Sequence, residues 1–223
     1  MTAKLFWQAI LKVVAGIILV GALLFLPAGT FAYGNAWLLM GLLFIPMFLE
    51  GIILMVKNPE LLKKRLNAKE KEKEQRVVIL LSAIMFIVGF VVAGLNFRFG
   101  WMLLPKWAVI TASVLFAIGY ILYAEVIREN QYLSRTIEVV EGQKVVDTGL
   151  YGIVRHPMYF ATLLIFLAMP LILGSLISFL IFLAYPLIIV KRIQNEETVL
   201  EKELEGYTEY KKKVKYRLLW GIW

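Results

Sequence analysis

The apolar positions of this chain gather into runs of bilayer-crossing length, and its charges fall between the runs. Leu5 to Leu26, Trp37 to Val56, Val77 to Leu95 and Trp107 to Tyr123 each predict a membrane-spanning helix, because about 20 apolar residues cross a hydrocarbon core. Lys4 edges the first run and Lys12 sits in its first turns, where a long stem lets the ammonium reach the headgroups. Two later runs, Met158 to Leu173 and Leu176 to Val190, are split by Gly174-Ser175. Each is short for a span, so together they predict a tight helical hairpin over 158–190, kinked at Pro170 and Pro186.

The polar stretches between these runs carry their own signals. Residues 57–76 hold Lys57, Lys63, Lys64, Arg65, Lys69, Lys71, Lys73 and Arg76 with four glutamates. Opened by Asn58-Pro59-Glu60, this loop predicts an exposed helix on the membrane surface. Glu125, Arg128, Glu129 and Asn130 extend the fourth helix out of the membrane. Thr136 to Val140 predicts an extended strip, and Glu141-Gly142-Gln143 a turn. Lys191 to about Lys215 predicts one charged helix, and Leu218 to Trp223 a piece that lies back on the interface. Glu50, inside the second run, is a functional candidate by position. Its plainer reading is an interfacial acid paired with a lysine such as Lys57.

Composition agrees. The chain has 223 residues, 61% of them hydrophobic, and a mean hydropathy of +0.77, well above a soluble domain. The expected fold is an all-α integral membrane protein: a bundle of about six transmembrane helices including the short hairpin, with a cytosolic segment and a C-terminal helix. Residues 1–123 form four helices around the charged loop, and residues 124–223 the catalytic region. No internal repeat stands out. The first run is too long for a cleaved signal and lacks a small-residue cleavage site. With no cysteine and one histidine, thiolate and His-rich metal sites are excluded. The net charge of +8 follows the loops and not a nucleic-acid patch. The basic residues put both termini, the 57–76 loop and the 124–157 segment on the cytoplasmic side.

Polar chemistry concentrates in Asp147-Thr-Gly-Leu-Tyr-Gly-Ile-Val-Arg-His-Pro-Met-Tyr159, which holds the sole histidine, His156. On the last helix Arg192 and Glu196 are four apart and share a face, with Glu197 about 100° further round. These residues meet the same aqueous boundary as His156, so folding can gather Tyr151, His156, Tyr159, Arg192, Glu196 and Glu197 into one pocket.

Gly149-Leu150-Tyr151, Arg155-His156-Pro157-Met158-Tyr159, Glu196-Glu197-Thr198-Val199-Leu200 and Tyr207-Thr208-Glu209-Tyr210 resemble the isoprenylcysteine carboxyl methyltransferase and phospholipid methyltransferase family. The likeness runs from about Asn130 to the C-terminus. It departs at Leu150, where the family usually has proline, and at Leu218-Leu219-Trp220, where a proline is common. The resemblance implies S-adenosylmethionine bound on the cytosolic side and a lipophilic acceptor entering from the bilayer. It implies cofactor contacts from Gln143, Lys144, Val145 and Val146, from Tyr151, from His156, Pro157, Met158 and Tyr159, and from Glu196. It gives Arg192 the acceptor, and Glu197 is the motif's second acid.

The chemistry of that cofactor suits these residues. Glu196 or Glu197 can pair with its ammonium, Arg155 or backbone amides with its carboxylate, and aromatic faces such as Tyr151 with adenine or the sulfonium. A carboxylate acceptor needs only a cation such as Arg192 to place it. An amine acceptor must lose a proton, with Glu197 or His156 as the base. The favoured reading is methyl transfer to a prenylcysteine-like carboxylate. The alternatives are methylation of a phospholipid or other lipid amine, and a nicotinamide-dependent reduction of the sterol-reductase kind.

Overall fold

The four long apolar runs fold as four long helices in the computed structural model, which describes residues 3–67, 73–134, 136 and 139–223. In chain order these are α1 (Ala3–Ala28), α2 (Gly34–Lys57), a short α3 (Pro59–Leu66), α4 (Lys73–Phe99) and α5 (Lys106–Glu129). A 3₁₀ turn at Gly149–Gly152 precedes α6 (Pro157–Ile172), α7 (Leu176–Phe182), α8 (Ala184–Glu203) and α9 (Tyr207–Lys213). There is no strand among the described residues; Leu103 and Ser175 form an isolated antiparallel bridge. The protein is an all-helical, multi-pass membrane protein with, among the described residues, five helices long and apolar enough to span, plus the shorter α6.

The outer faces are apolar and exposed, as at Ile45, Ile53, Leu80, Ile110 and Leu187, which suits contact with lipid tails. The inner faces interlock around Phe116, Phe182, Leu24, Leu39 and Ile193, all fully buried. Within a bilayer, close packing rather than escape from water holds such faces together. α6 lies chiefly on α5, and α1 chiefly on α4. The α6–α7 connection is stitched to the 96–104 loop: Leu104 N–H donates to the Gly174 carbonyl at 2.9 Å, and Leu176 N–H to that of Met102 at 3.2 Å. Tyr33 OH donates to the Leu173 carbonyl at 2.6 Å, using an acceptor left open at the end of α6.

Only one arm of the hairpin proves short. α7 and α8 together run Leu176–Glu203, 28 residues, long enough to span. Their break at Leu183 has a physical reason. Pro186 has no N–H to offer Phe182, four residues back, and its ring crowds that carbonyl. The expected single helix from Lys191 to Lys215 is also two. It stops at Glu203 and restarts at Tyr207 after Gly206, whose φ of +82° turns the chain.

α3 is not an exposed surface helix. Asn58 caps it by accepting from Leu61 N–H at 3.1 Å, but Leu61 and Leu62 are buried with Leu5, Ala9, Leu54 and Ile127. Residues 68–72 of the charged loop lie outside the described residues. Glu50 pairs with Arg65 at 3.6 Å and not with Lys57; Arg65 also donates to Tyr123 OH. Lys12 donates to the Leu66 carbonyl, so α3 receives a bond from α1 as well. Of the strip 136–140, Thr136, Val139 and Val140 form no strand, and 137–138 lie outside the description.

Candidate active site

Pro157 fixes the geometry at the start of α6. It occupies the first helical position, where its missing N–H costs nothing, and it keeps His156 out of the helical region at φ −126°, ψ 58°. Tyr159 follows, with its ring stacked 5.8 Å from the His156 imidazole. The backbone N–H groups of Arg155 and His156 donate to the carbonyls of Tyr216 and Arg217 at 2.9 and 2.8 Å. The C-terminal strip is therefore partly pinned to this turn: Leu218 is buried, while Trp220 and Ile222 remain exposed.

The preceding loop depends on Gly149. Its φ is +49°, and a Cβ there would fall 2.2 Å from Glu129 Oε1. The close approach lets Glu129 accept from Thr148 Oγ1 at 2.9 Å and from Leu150 N–H at 3.2 Å, tying the loop to the end of α5. Tyr151 is then held from two sides. Its hydroxyl accepts from Asn130 Nδ2 at 3.0 Å, and its carbonyl accepts from Tyr210 OH at 2.7 Å.

α8 supplies the facing wall. Arg192 and Glu196 are linked through Tyr159, whose hydroxyl accepts from Arg192 Nε at 2.8 Å and donates to Glu196 Oε2. Arg192 Nη1 reaches Gln75 Oε1 at 3.3 Å. Gln75, fully buried at the head of α4, was not anticipated; its signal is one amide at the edge of an apolar run.

These walls line a partly open cavity. Gln143, Lys144, Val145 and Val146 line it from the loop, and Tyr151, Arg155, His156, Met158 and Tyr159 from the turn and α6. Arg192 and Glu196 line it from α8. Pro157 does not line it; it acts on the backbone. Asn130, Tyr207 and Tyr210 also line it. Sequence reading left these out of the site, although both late tyrosines stand in the motif.

Glu197 is not in the cavity wall. It is 3% exposed, with Oε1 accepting from Arg155 Nε at 2.7 Å and lying 3.3 Å from His156 Nε2. Its Oε2 accepts from Arg217 Nε at 2.8 Å. A carboxylate so engaged, and turned from the cavity, is poorly placed as the proton acceptor considered for it. It braces Arg155 and His156 from behind. Arg155 is similarly engaged: Nη1 donates to the carbonyls of Val214 and Lys215 at 2.7 and 2.8 Å.

Tyr151 and Tyr207 in the cavity wall stay neutral. Burial pushes Tyr151 and Tyr207 well above the ordinary tyrosine range, and neighbouring carboxylates, Glu196 among them, add to the rise. Both remain hydrogen-bond donors at neutral pH. Glu196 is the acidic side chain facing the cavity among the described residues. With aromatic faces beside it, the arrangement can hold a cation and an attached flat group.

Residues 107–205 match the phospholipid methyltransferase family model, so the resemblance carried by the motifs holds over the stretch that builds most of this site. A Delta(14)-sterol reductase of Methylotuvimicrobium alcaliphilum is 25% identical over 131 residues, covering 52% of this chain and 31% of that protein. The chain thus spans about a third of the length of that curated relative.

Proposed function

We propose, from the family match over residues 107–205, that this protein transfers a methyl group from S-adenosylmethionine to a lipophilic acceptor at the membrane surface. The observation that carries the reading is the cavity in which Glu196, Tyr159 and Arg192 form one linked row opposite the Gln143–Val146 loop. The residues fit the cofactor. Glu196 suits its ammonium, Lys144 and loop amides its carboxylate, and the Tyr151 and Tyr159 rings its sulfonium. Bound there, the cofactor supplies an electrophilic methyl on a cationic sulfur.

The chain's own part is alignment and exclusion of water, which carry most of the help for an in-line displacement. Arg192 presents a cation fixed by Tyr159 and Gln75, suited to orient an anionic acceptor. The engagement of Glu197 with Arg155, His156 and Arg217 leaves Glu197 poorly placed to deprotonate an amine, while His156 keeps its second ring nitrogen in the cavity wall. The cation of Arg192 favours an acceptor already ionised, of the prenylcysteine carboxylate kind, over a lipid amine. The acceptor enters from the bilayer, and the site and both termini face the cytoplasm by the distribution of basic residues.

The sterol reductase relative supports a second reading, reduction by a nicotinamide dinucleotide. Methyl transfer is favoured because the family match runs over residues 107–205, whereas that relative is 25% identical over 52% of the chain.

Purified protein incubated with methyl-labelled cofactor and a panel of prenylcysteines, aminophospholipids and quinone-like lipids tests the acceptor class. Label in the prenylcysteine alone, with Arg192→Ala raising its KM more than the cofactor's, is the expected result. Label confined to aminophospholipids would overturn the carboxylate assignment.

A further inference from the structure

Gln75 lies outside residues 107–205, the stretch that the family model covers. It is the first residue of the membrane-crossing length of α4, Gln75–Phe99, and it is fully buried. An amide taken out of water costs free energy unless its bonding groups find partners. Here both ends of the amide find the same residue. Oε1 accepts from Arg192 Nη1 at 3.3 Å, and Nε2 donates to the Arg192 carbonyl at 3.4 Å.

A side chain that meets one residue at its backbone and again at its far end fixes the stem between them. In an arginine that stem carries rotamer freedom that is costly to freeze. Tyr159 adds a separate tie: its hydroxyl accepts from Arg192 Nε at 2.8 Å, and its ring centre lies 5.8 Å from the guanidinium carbon. The planar fork is therefore held at Nε from α6 and at Nη1 from α4. The two bonds from Gln75 are long, so each is weak as a source of stability. Together they still select one direction for the guanidinium. Gln75 itself does not line the cavity, whereas Arg192 does, so any effect of Gln75 on a ligand passes through Arg192.

We infer that Gln75 is a positioning residue for the acceptor: it aims the Arg192 guanidinium at the place where the acceptor's anionic group docks. This rests on the methyl-transfer reading with Arg192 on the acceptor. It deepens that reading by putting part of the acceptor machinery on α4, in the portion of the chain that the family match leaves out. The cofactor, held at Glu196 and the Gln143–Val146 loop, is then indifferent to Gln75.

Gln75→Met in the full-length purified protein tests it, because the variant keeps the length of the side chain and loses both bonds. Gln75→Asn, an amide too short to reach both Arg192 atoms, is run beside it in case the first variant fails to fold. Methyl transfer to a prenylcysteine and titration with S-adenosylhomocysteine are measured on each. The expected result is a loss of roughly 10- to 100-fold in kcat/KM for the acceptor, the scale of a misplaced orienting group, with unchanged affinity for S-adenosylhomocysteine. In an Arg192→Ala background Gln75→Met should add almost nothing, because residues that act as a unit are not additive. Full acceptor kcat/KM in whichever variant folds would overturn the assignment. So would an equal loss of cofactor affinity, or a loss undiminished in the Arg192→Ala background, since either marks Gln75 as a support of the bundle alone. Wild-type protein that transfers no methyl to the prenylcysteine overturns the acceptor reading and this assignment with it, whereas wild-type transfer with indifferent variants overturns this assignment alone.

Discussion

Arg192 and Glu196 stand one turn apart on α8 and meet through Tyr159, whose hydroxyl accepts from Arg192 Nε at 2.8 Å and donates to Glu196. A direct ion pair at this spacing would spend both charges on each other. The tyrosine holds them in one row while leaving both in the cavity wall. Tyr159→Phe should keep the fold, since the ring still packs against His156. It should lower methyl transfer by roughly 10- to 100-fold, the scale of removing a hydrogen bond to charged groups. Turnover and circular dichroism on the same preparation check this; full activity would show that the row is not used.

Glu197 is the brace behind that row. Its three partners, Arg155, His156 and Arg217, come from the α6 turn and the C-terminal strip. Glu197→Ala should destabilise the protein by about 3–5 kcal/mol, the cost of stranding buried charges without their partner. Thermal melting in detergent measures it. A variant that melts like wild type but has lost turnover would instead mark Glu197 as a direct participant in the chemistry.

Gly149→Ala should destabilise the loop by about 1–3 kcal/mol from backbone strain alone, and by more because the new Cβ would collide with Glu129. The loss should appear as faster proteolysis of the 140–152 loop and weaker ligand binding. Gly34→Ala is the control, with open space where its Cβ would stand.

Alkaline pH should unfold this half of the protein. Tyr151, Tyr207 and Tyr210 are all pushed above the ordinary tyrosine value by burial. Their contribution to stability is present below the unfolded value of about 10. It declines as pH rises beyond that, because only the unfolded chain then ionises freely. Phenolate absorbance and melting temperature, followed together from pH 8 to 12, should show late ionisation of these tyrosines coinciding with unfolding. Early ionisation without loss of structure would mean that they are not buried in solution.

The spans and the cavity's main residues were legible because each rests on local pattern. Twenty apolar residues predict a crossing, and His156-Pro157 predicts a turn into a helix. The 192–196 spacing puts two charges on one face. What escaped depended on partners far along the chain. Nothing near Gln75 announces Arg192 as its neighbour, and nothing near Leu218 announces that its strip would pin the Arg155–His156 backbone. Glu197 is a candidate base by sequence because it is the motif's second acid. A step of about 100° round α8 turns it to the opposite side of the wall. α3 looked exposed because four of its eight residues are charged, but Leu61 and Leu62 decide its burial.

The most direct test of the account is titration calorimetry on the purified protein with S-adenosylhomocysteine and, separately, with a reduced nicotinamide dinucleotide. The account predicts stoichiometric binding of S-adenosylhomocysteine, weakened at least tenfold by Glu196→Gln while the variant stays folded, and no binding of the dinucleotide. Binding of the dinucleotide alone would contradict it.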